Sequence, residues 1–343
     1  MPYLSELHID RALTDFSVAY MNEDYIGDTV APLLPVDKRS DKYFVYNRDA
    51  FLRASALDSN GRPTSVRRPG TEAVLSDFAL SSTSYYADEY ARKQLVPYAN
   101  MQYADQPLQP QIDATIQITE QLKIDNEIQV ANMVGKISSY ASTNTATLTT
   151  GSTGTSWASY TSANSNPFLN IEQAIIAVRK GVMKTANALL MTIDTAQYLL
   201  DHPTYKDWQK YTSTDGVTVG GVAKNIRGLD VQVGVQQYTS TAEQAPPANN
   251  ATTGDVWVDS GGNAMALIYY RNGTVGPRTI SSFRTFDAPN EESNVRGFVI
   301  KVYPWEVLSG VYVEGRVTRA YQSISVNGSN QQIGAYLIAS AVV

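Results

Sequence analysis

The 343-residue sequence predicts an α+β fold, with helices grouped centrally and sheets assembled from distant segments. Three observations carry the prediction. The end of the chain alternates Val, Ile and Tyr with polar residues over 296–303, 310–321 and 335–342, the period-two pattern of strands. The centre carries amphipathic helical runs around a short apolar strand. Residues 43–97 read as a long two-stranded protrusion with nothing of its own to pack against. An isolated hairpin is marginal in water, so something else must bind it, and the leading candidate is another copy of the same chain.

Residues 1–42 mix short apolar clusters with Pro2, Pro32 and Pro35, and their one plausible helix lies near 7–20, which reads as an arm laid across a surface. In the protrusion the outgoing side is Tyr43-Phe44-Val45-Tyr46, and the return side places Val74, Phe78 and Leu80 on one face. The tip holds Asn60-Gly61, Pro69-Gly70 and the arginines Arg53, Arg62, Arg67 and Arg68. A proline-bounded linker, 98–110, leads to a long helix over 111–136. There Ile112, Ala114, Ile116 and Ile118 alternate as in a strand, but from Glu120 onward Ile124, Ile128, Ala131 and Val134 share one helical face, and Gln, Glu and Lys fill the other. Residues 138–166 are nearly all Ser, Thr, Ala, Gly and Asn around Trp157. They bring too little apolar area for a core and predict a surface excursion or a polar hairpin. Asn170 and Gln173 make a capping-box-like start for a helix through Ile171, Ala174, Ile175, Val178 and Val182. Residues 188–193 predict a buried strand, and 195–201 a short helix that Asp194 caps and Pro203 stops. Short strands, 228–235 and 264–270 among them, occupy the turn-rich stretch 204–290.

Composition argues against catalysis. There are two histidines, His8 and His202, and no cysteine, which removes thiolate nucleophiles, cysteine-ligated metals, disulfides and nearly all imidazole chemistry. His8 and His202 lie in no motif with a serine and an acid. Gly151-Ser152-Thr153-Gly154-Thr155-Ser156 lacks the lysine and the preceding strand of a phosphate-cradling loop. Asp287 with Glu291 and Glu292, and Asn22-Glu23-Asp24 with Asp28, lack the spacing of a calcium loop and read as solvated acids. Asn250-Ala251-Thr252, Asn272-Gly273-Thr274 and Asn327-Gly328-Ser329 read as turns. No catalytic residue, cofactor or metal is expected. A net charge of −6 and a pI near 5.1 oppose avid nucleic-acid binding, although an acidic wall can enclose DNA without gripping it. No secretion signal opens the sequence and no apolar run reaches the roughly 20 residues a bilayer demands, so a protein made in the cytoplasm without a membrane partner is expected.

The cluster Arg62, Arg67 and Arg68 has three readings: a solvated loop, a phosphate contact, or one side of an ion-pair patch between subunits. The last is favoured by its place at the tip of a protrusion and by Asp113, Glu120, Asp125 and Glu127 on the long helix, which a neighbour could offer as partners. Arginine suits bidentate pairing with carboxylates.

Val30-Ala31-Pro32-Leu33-Leu34-Pro35-Val36 runs into Lys42-Tyr43-Phe44-Val45-Tyr46, and Leu189-Leu190-Met191 is followed by 196–200, Tyr211 and Gly228-Leu229-Asp230-Val231. These passages, and above all the order of the segments, resemble the major capsid proteins of tailed bacteriophages, which have the Hong Kong 97-type capsid fold. The resemblance implies an N-terminal arm (1–42), an extended β-hairpin loop (43–97), a peripheral domain (98–165) with its spine helix at 111–136, an axial domain (166–293) and a return to the peripheral β-sheet (294–343). It implies a structural protein of the virion that self-assembles as hexamers and pentamers into an icosahedral shell around double-stranded DNA. Scaffolding, portal and decoration proteins are the partners that go with such a shell. Some family members join a lysine of the extended loop to a neighbour's asparagine. Between Lys42 and Lys93 this sequence has arginines only, so that cross-link is not expected. Two other readings remain open at this level: an encapsulin-type nanocompartment shell, and a glycan-binding or hydrolytic β-rich protein, for which no acid pair is defined.

Overall fold

The computed structural model describes residues 25–46, 54, 57, 59–67, 69–75, 80–104, 109–211, 216–218, 220–239, 252–273, 276, 279–290 and 295–342. Most of the expected arm, with His8 and Asn22-Glu23-Asp24, lies outside these residues, as do Arg53, Arg68, Phe78, Asn250, Ala251, Thr274, Glu291 and Glu292. In chain order the elements begin with α1 (Gly27–Val30), β1 (Leu33–Pro35), β2 (Ser40–Tyr46), β3 (Leu80–Tyr86), β4 (Asp88–Pro97), α2 (Tyr98–Tyr103), α3 (Pro110–Gly135) and β5 (Thr145–Thr147). There follow α4 (Pro167–Val182), β6 (Ala188–Thr192), α5 (Ile193–Asp201), α6 (Pro203–Tyr211), β7 (Asn225–Ile226), β8 (Leu229–Gly234), β9 (Gln237–Thr239) and β10 (Thr253–Asp255). The chain ends with β11 (Ala264–Tyr269), β12 (Phe283–Asp287), β13 (Val299–Trp305), β14 (Gly310–Ser323) and β15 (Ala335–Val342).

Residues 38–86 form a unit of their own. Its strands β2 and β3 pair antiparallel from Ser40 opposite Tyr86 to Tyr46 opposite Leu80. Tyr85 donates its hydroxyl to the Lys38 carbonyl at 3.0 Å, and the Arg39 guanidinium lies over the Tyr86 ring, which holds the base of the hairpin. At the tip Leu57 bridges Pro63 and Gly61 turns the chain with φ +71°, a conformation that favours glycine. Leu57, Val66, Val74 and Leu75 are all exposed, so among the described residues the tip buries no large apolar side chain. The return strand begins at Leu80; Val74, expected on its apolar face, lies outside it.

The remainder holds two larger sheets. In the five-stranded sheet β14 is central: β4 pairs along one side, while β13 and β12 share the other, and β1 runs parallel to β12. The first half of α3 covers this sheet, packing Ala114, Ile118 and Leu122 on Val96, Val313 and Val317. The approach is close: a β-carbon on Gly315 would lie 2.6 Å from Ile118 Cγ2. The six-stranded sheet has the order β5-β15-β11-β6-β8-β7. One face packs on α4, α5 and α6 through Ile171, Ala174, Val178, Leu199 and Tyr205. The other packs on the second half of α3 through Val130, Ala131 and Val134. The long helix therefore contributes to two cores, a different one with each half.

The long helix expected over 111–136 runs from Pro110 to Gly135, and its alternating start divides into two stripes: Ala114 and Ile118 are buried, Ile112 and Ile116 exposed. Several other expectations are corrected. Helix α4 begins earlier than expected, with Asn166 as its N-cap accepting the Leu169 amide at 3.2 Å and Pro167 in the first turn. Pro203 stops α5 and also opens α6, and Thr192 stands at the N-cap of α5 where Asp194 was expected. Residues 138–166 are neither a hairpin nor a loose excursion. Trp157 is fully buried, Asn144 donates to the Ile333 and Ala335 carbonyls, and Ser156 donates to Ala341. The sheets also cut across the expected segments. Strand β15 belongs with β11 and β5 in the six-stranded sheet, and β12 and β4 belong to the five-stranded one. Strand partners are chosen by tertiary packing that the local pattern does not encode.

Candidate functional site

At the arginine tip, Arg62 and Arg67 are exposed, and Arg67 donates Nε to the Thr71 carbonyl at 2.6 Å. The four acids expected to wait for such a tip on a neighbour are not equivalent. Asp125 is held by Arg92 of β4 in a two-pronged pair at 2.7 and 2.8 Å, and that hydrogen bond raises the arginine's pKa. Glu120 accepts from Tyr25 and from Lys123, each at 2.7 Å. Burial pushes its carboxyl up, but those two bonds outweigh it and leave the pKa below the usual range. Glu127 is 0% exposed and out of reach of any neighbour's side chain. Asp113, in the first turn of α3, is the exposed one, and it accepts the Gln109 amide at 3.2 Å.

Two of the acids, Glu120 and Glu127, instead fasten the segment that precedes β1. Tyr25 reaches Glu120 through its hydroxyl and lies beneath the Lys123 ammonium. Two residues on, the Gly27 amide donates to Glu127 Oε1 at 2.7 Å. Asp28 accepts from Arg319 at 3.0 Å and from Asn126 at 3.3 Å, while Asn126 Oδ1 takes both Arg319 and the Tyr321 hydroxyl at 2.7 Å. Val30 and Ala31 then bury themselves against the six-stranded sheet's core. Tyr25, Asp28, Lys123, Asn126, Glu127 and Phe298 line a small open cavity of about 130 Å³ at this junction. The signal for this clasp was present: 114, 118, 122, 126, 130 and 134 form one buried row at helical spacing, which puts Asn126 in the core stripe and Glu127 beside it.

The other candidates are structural. His202 Nδ1 accepts the Thr204 amide at 3.3 Å and meets the Thr204 hydroxyl at 2.7 Å, while Nε2 faces Ser165 Oγ at 3.2 Å. Ser165 donates its one hydroxyl proton to the Ser156 carbonyl at 2.7 Å, so it accepts from His202 and is no activated nucleophile. Asp287 is buried 3.7 Å from Arg319; burial pushes its carboxyl up although the guanidinium pulls it back. Among the described residues no group of three or more His, Asp or Glu could hold a metal ion, and no helix is long and apolar enough to cross a membrane.

No protein-family profile matches the chain. Curated relatives do. The chain is similar to the major capsid protein of Burkholderia phage BcepMu, 25% identical over 246 residues, 71% of this chain and 75% of that protein. It is also similar to the major capsid protein of Pseudomonas phage JBD67, 26% identical over 57% of each. Among solved structures, a phage-related protein from Bordetella bronchiseptica superposes with a TM-score of 0.61 at 17% identity, covering 94% of both chains. The capsid of cyanophage P-SCSP1u gives 0.58 at 10% identity over 98% of this chain and 93% of that one. The encapsulin of Synechococcus elongatus gives 0.52 at 11% identity over 94% and 91%. The chain therefore has the Hong Kong 97-type capsid fold, and in sequence it is similar to the major capsid proteins of these two phages.

Proposed function

We propose that this chain is the major shell protein of a phage head, a structural and non-enzymatic role in which many copies tile a closed container. What supports the role above all is the match of fold over nearly the whole chain to phage capsids, joined by sequence kinship to two phage major capsid proteins. The hairpin 38–86, with exposed apolar residues at its tip, is the natural extended loop; α3 with the five-stranded sheet forms the peripheral body, and the six-stranded sheet with its helices the axial body. Copies assemble as hexamers and pentamers around double-stranded DNA, which an acidic chain encloses without reading its sequence. Scaffolding, portal and decoration proteins complete the set of partners. The arginine tip remains a contact between subunits, with Asp113 as the acid best placed to receive it.

The test is assembly. Produced with a scaffolding protein, the chain should sediment as capsomers or closed shells that negative-stain microscopy can count. An inert monomer at high concentration, across a range of salt and with scaffold present, would count against the role. An encapsulin-type shell shares the fold. The lumen separates the two: absorbance dominated by nucleic acid favours the phage head, and a packaged protein favours the nanocompartment.

A further inference from the structure

Glu127 lies in the second half of α3 and is 0% exposed, with the chain of residues 26–28 passing directly over it. The Gly27 amide donates to its Oε1 at 2.7 Å, and a β-carbon on Gly27 would sit 3.1 Å from Oε2, so the segment rests on the carboxyl itself. The charged and titratable groups around it come from every packed element. Asp28 belongs to the overlying segment, Glu120 and Lys123 to the preceding turns of α3, Arg319 and Tyr321 to β14, and Asp287 to β12. The nearby cations face other acids: Arg319 lies against Asp28 and Asp287, and Lys123 pairs with Glu120. A carboxylate here has the Gly27 and Ile26 amides for company and, among the described residues, no cation paired with it. Burial raises its pKa to about 7, with Asp28 adding to the rise, against the downward pull of the Gly27 and Ile26 amides.

We propose that Glu127 is the release catch of the N-terminal segment: residues 25–29 stay seated on α3 while this carboxyl is neutral and lift from it when the carboxyl ionises. Lifting gives the carboxylate water, which the seated state denies it. The sign follows from proton linkage. The seated carboxyl binds its proton more tightly than the solvated one, so the hold is full below the ordinary glutamate range and is lost as pH rises through about 7. Between those limits the seated-to-lifted ratio falls by on the order of a few hundred-fold. Val30 and Ala31, buried in the core below, remain in place and confine the motion to the residues before them. In a shell subunit the catch would govern where the arm of residues 1–24 is directed.

Hydrogen exchange of the full-length protein, read by mass spectrometry on peptides covering 25–31 between pH 5.5 and 8.5 and corrected for intrinsic base catalysis, tests the catch. Protection should fall at least tenfold across neutrality in the wild type and stay level in Glu127→Gln, which accepts the Gly27 amide at every pH. Equal falls in the two proteins, or level protection in both, would overturn the proposal. Asp28→Asn supplies a second arm that keeps the titrating carboxyl: with a neighbouring negative charge gone, the midpoint should move to lower pH. A midpoint that stays in place or rises would also overturn it.

Discussion

Single residues here divide into those whose neighbours can yield and those whose neighbours cannot. A β-carbon on Gly315 would meet side-chain ends, Ile118 Cγ2 at 2.6 Å and Leu122 Cδ1 at 2.8 Å. One on Gly181 would lie 2.0 Å from the backbone oxygen of Ile333. We therefore expect Gly315→Ala to cost about 1–3 kcal/mol, the usual range for overpacking, and Gly181→Ala to cost more, because a main chain cannot rotate out of the way. Urea midpoints of the two variants check the order, and equal losses would show that the β15 side of the molecule is the softer. His202 makes a prediction of opposite sign to Glu127. Burial lowers its pKa from 6.5, so as pH falls the unfolded chain takes the proton first; the stabilisation is complete above about 6.5 and is lost below it. His202→Asn keeps a side-chain acceptor at the start of α6 and cannot titrate. The loss of stability between pH 7 and pH 5 should be smaller in this variant than in the wild type, as measured by denaturant unfolding at each pH.

At the scale of elements, legibility depended on whether the signal was local. The long helix was visible because its apolar spacing and its lack of breakers lie within one stretch, and so was α4, though its start was misplaced by overlooking Asn166-Pro167 in favour of Asn170. The acids of α3 were misread for a physical reason: Asp125, Glu120 and Glu127 look alike in sequence, and only the strands and segment packed beside them decide that one is paired, one is half-buried and one is sealed. Strand partners were harder still, since nothing in Ala335–Val342 states that it will lie beside β11 and β5. The hairpin tip gives the prediction at this scale. Arg62→Ala, Arg67→Ala and Arg68→Ala together should leave the circular dichroism of the subunit unchanged while shells become fewer or more sensitive to salt. Each exposed pair contributes only about 0–1 kcal/mol, but a shell repeats the contact at every subunit. Unaltered yield and salt tolerance would assign the tip to solvent.

Across the whole molecule the absence of cysteine, and of lysine between Lys42 and Lys93, has a direct consequence for how copies are held. Disulfides cannot form, and beyond Lys42 in its first strand the hairpin has no further lysine whose amine an isopeptide bond could use. In the proposed shell, cohesion would then come from many separate contacts, each burying apolar surface worth roughly 25 cal/mol per Å², summed over several neighbours. Among the described residues of the hairpin, Phe44, Leu57, Val66, Val74, Leu75 and Tyr86 offer exposed apolar area for such contacts. Mature particles boiled in detergent without reducing agent should therefore release a single band near 37.6 kDa. A ladder of covalent multimers would show that Lys38 or Lys42 at the hairpin's base, a lysine elsewhere, or other chemistry joins the subunits. Removing residues 1–20 should weaken the same particles without unfolding the subunit, because described residues from Ile26 onward already pack both sheets into cores. Shell yield by sedimentation, set beside unfolding of the truncated subunit, separates lost cohesion from lost folding.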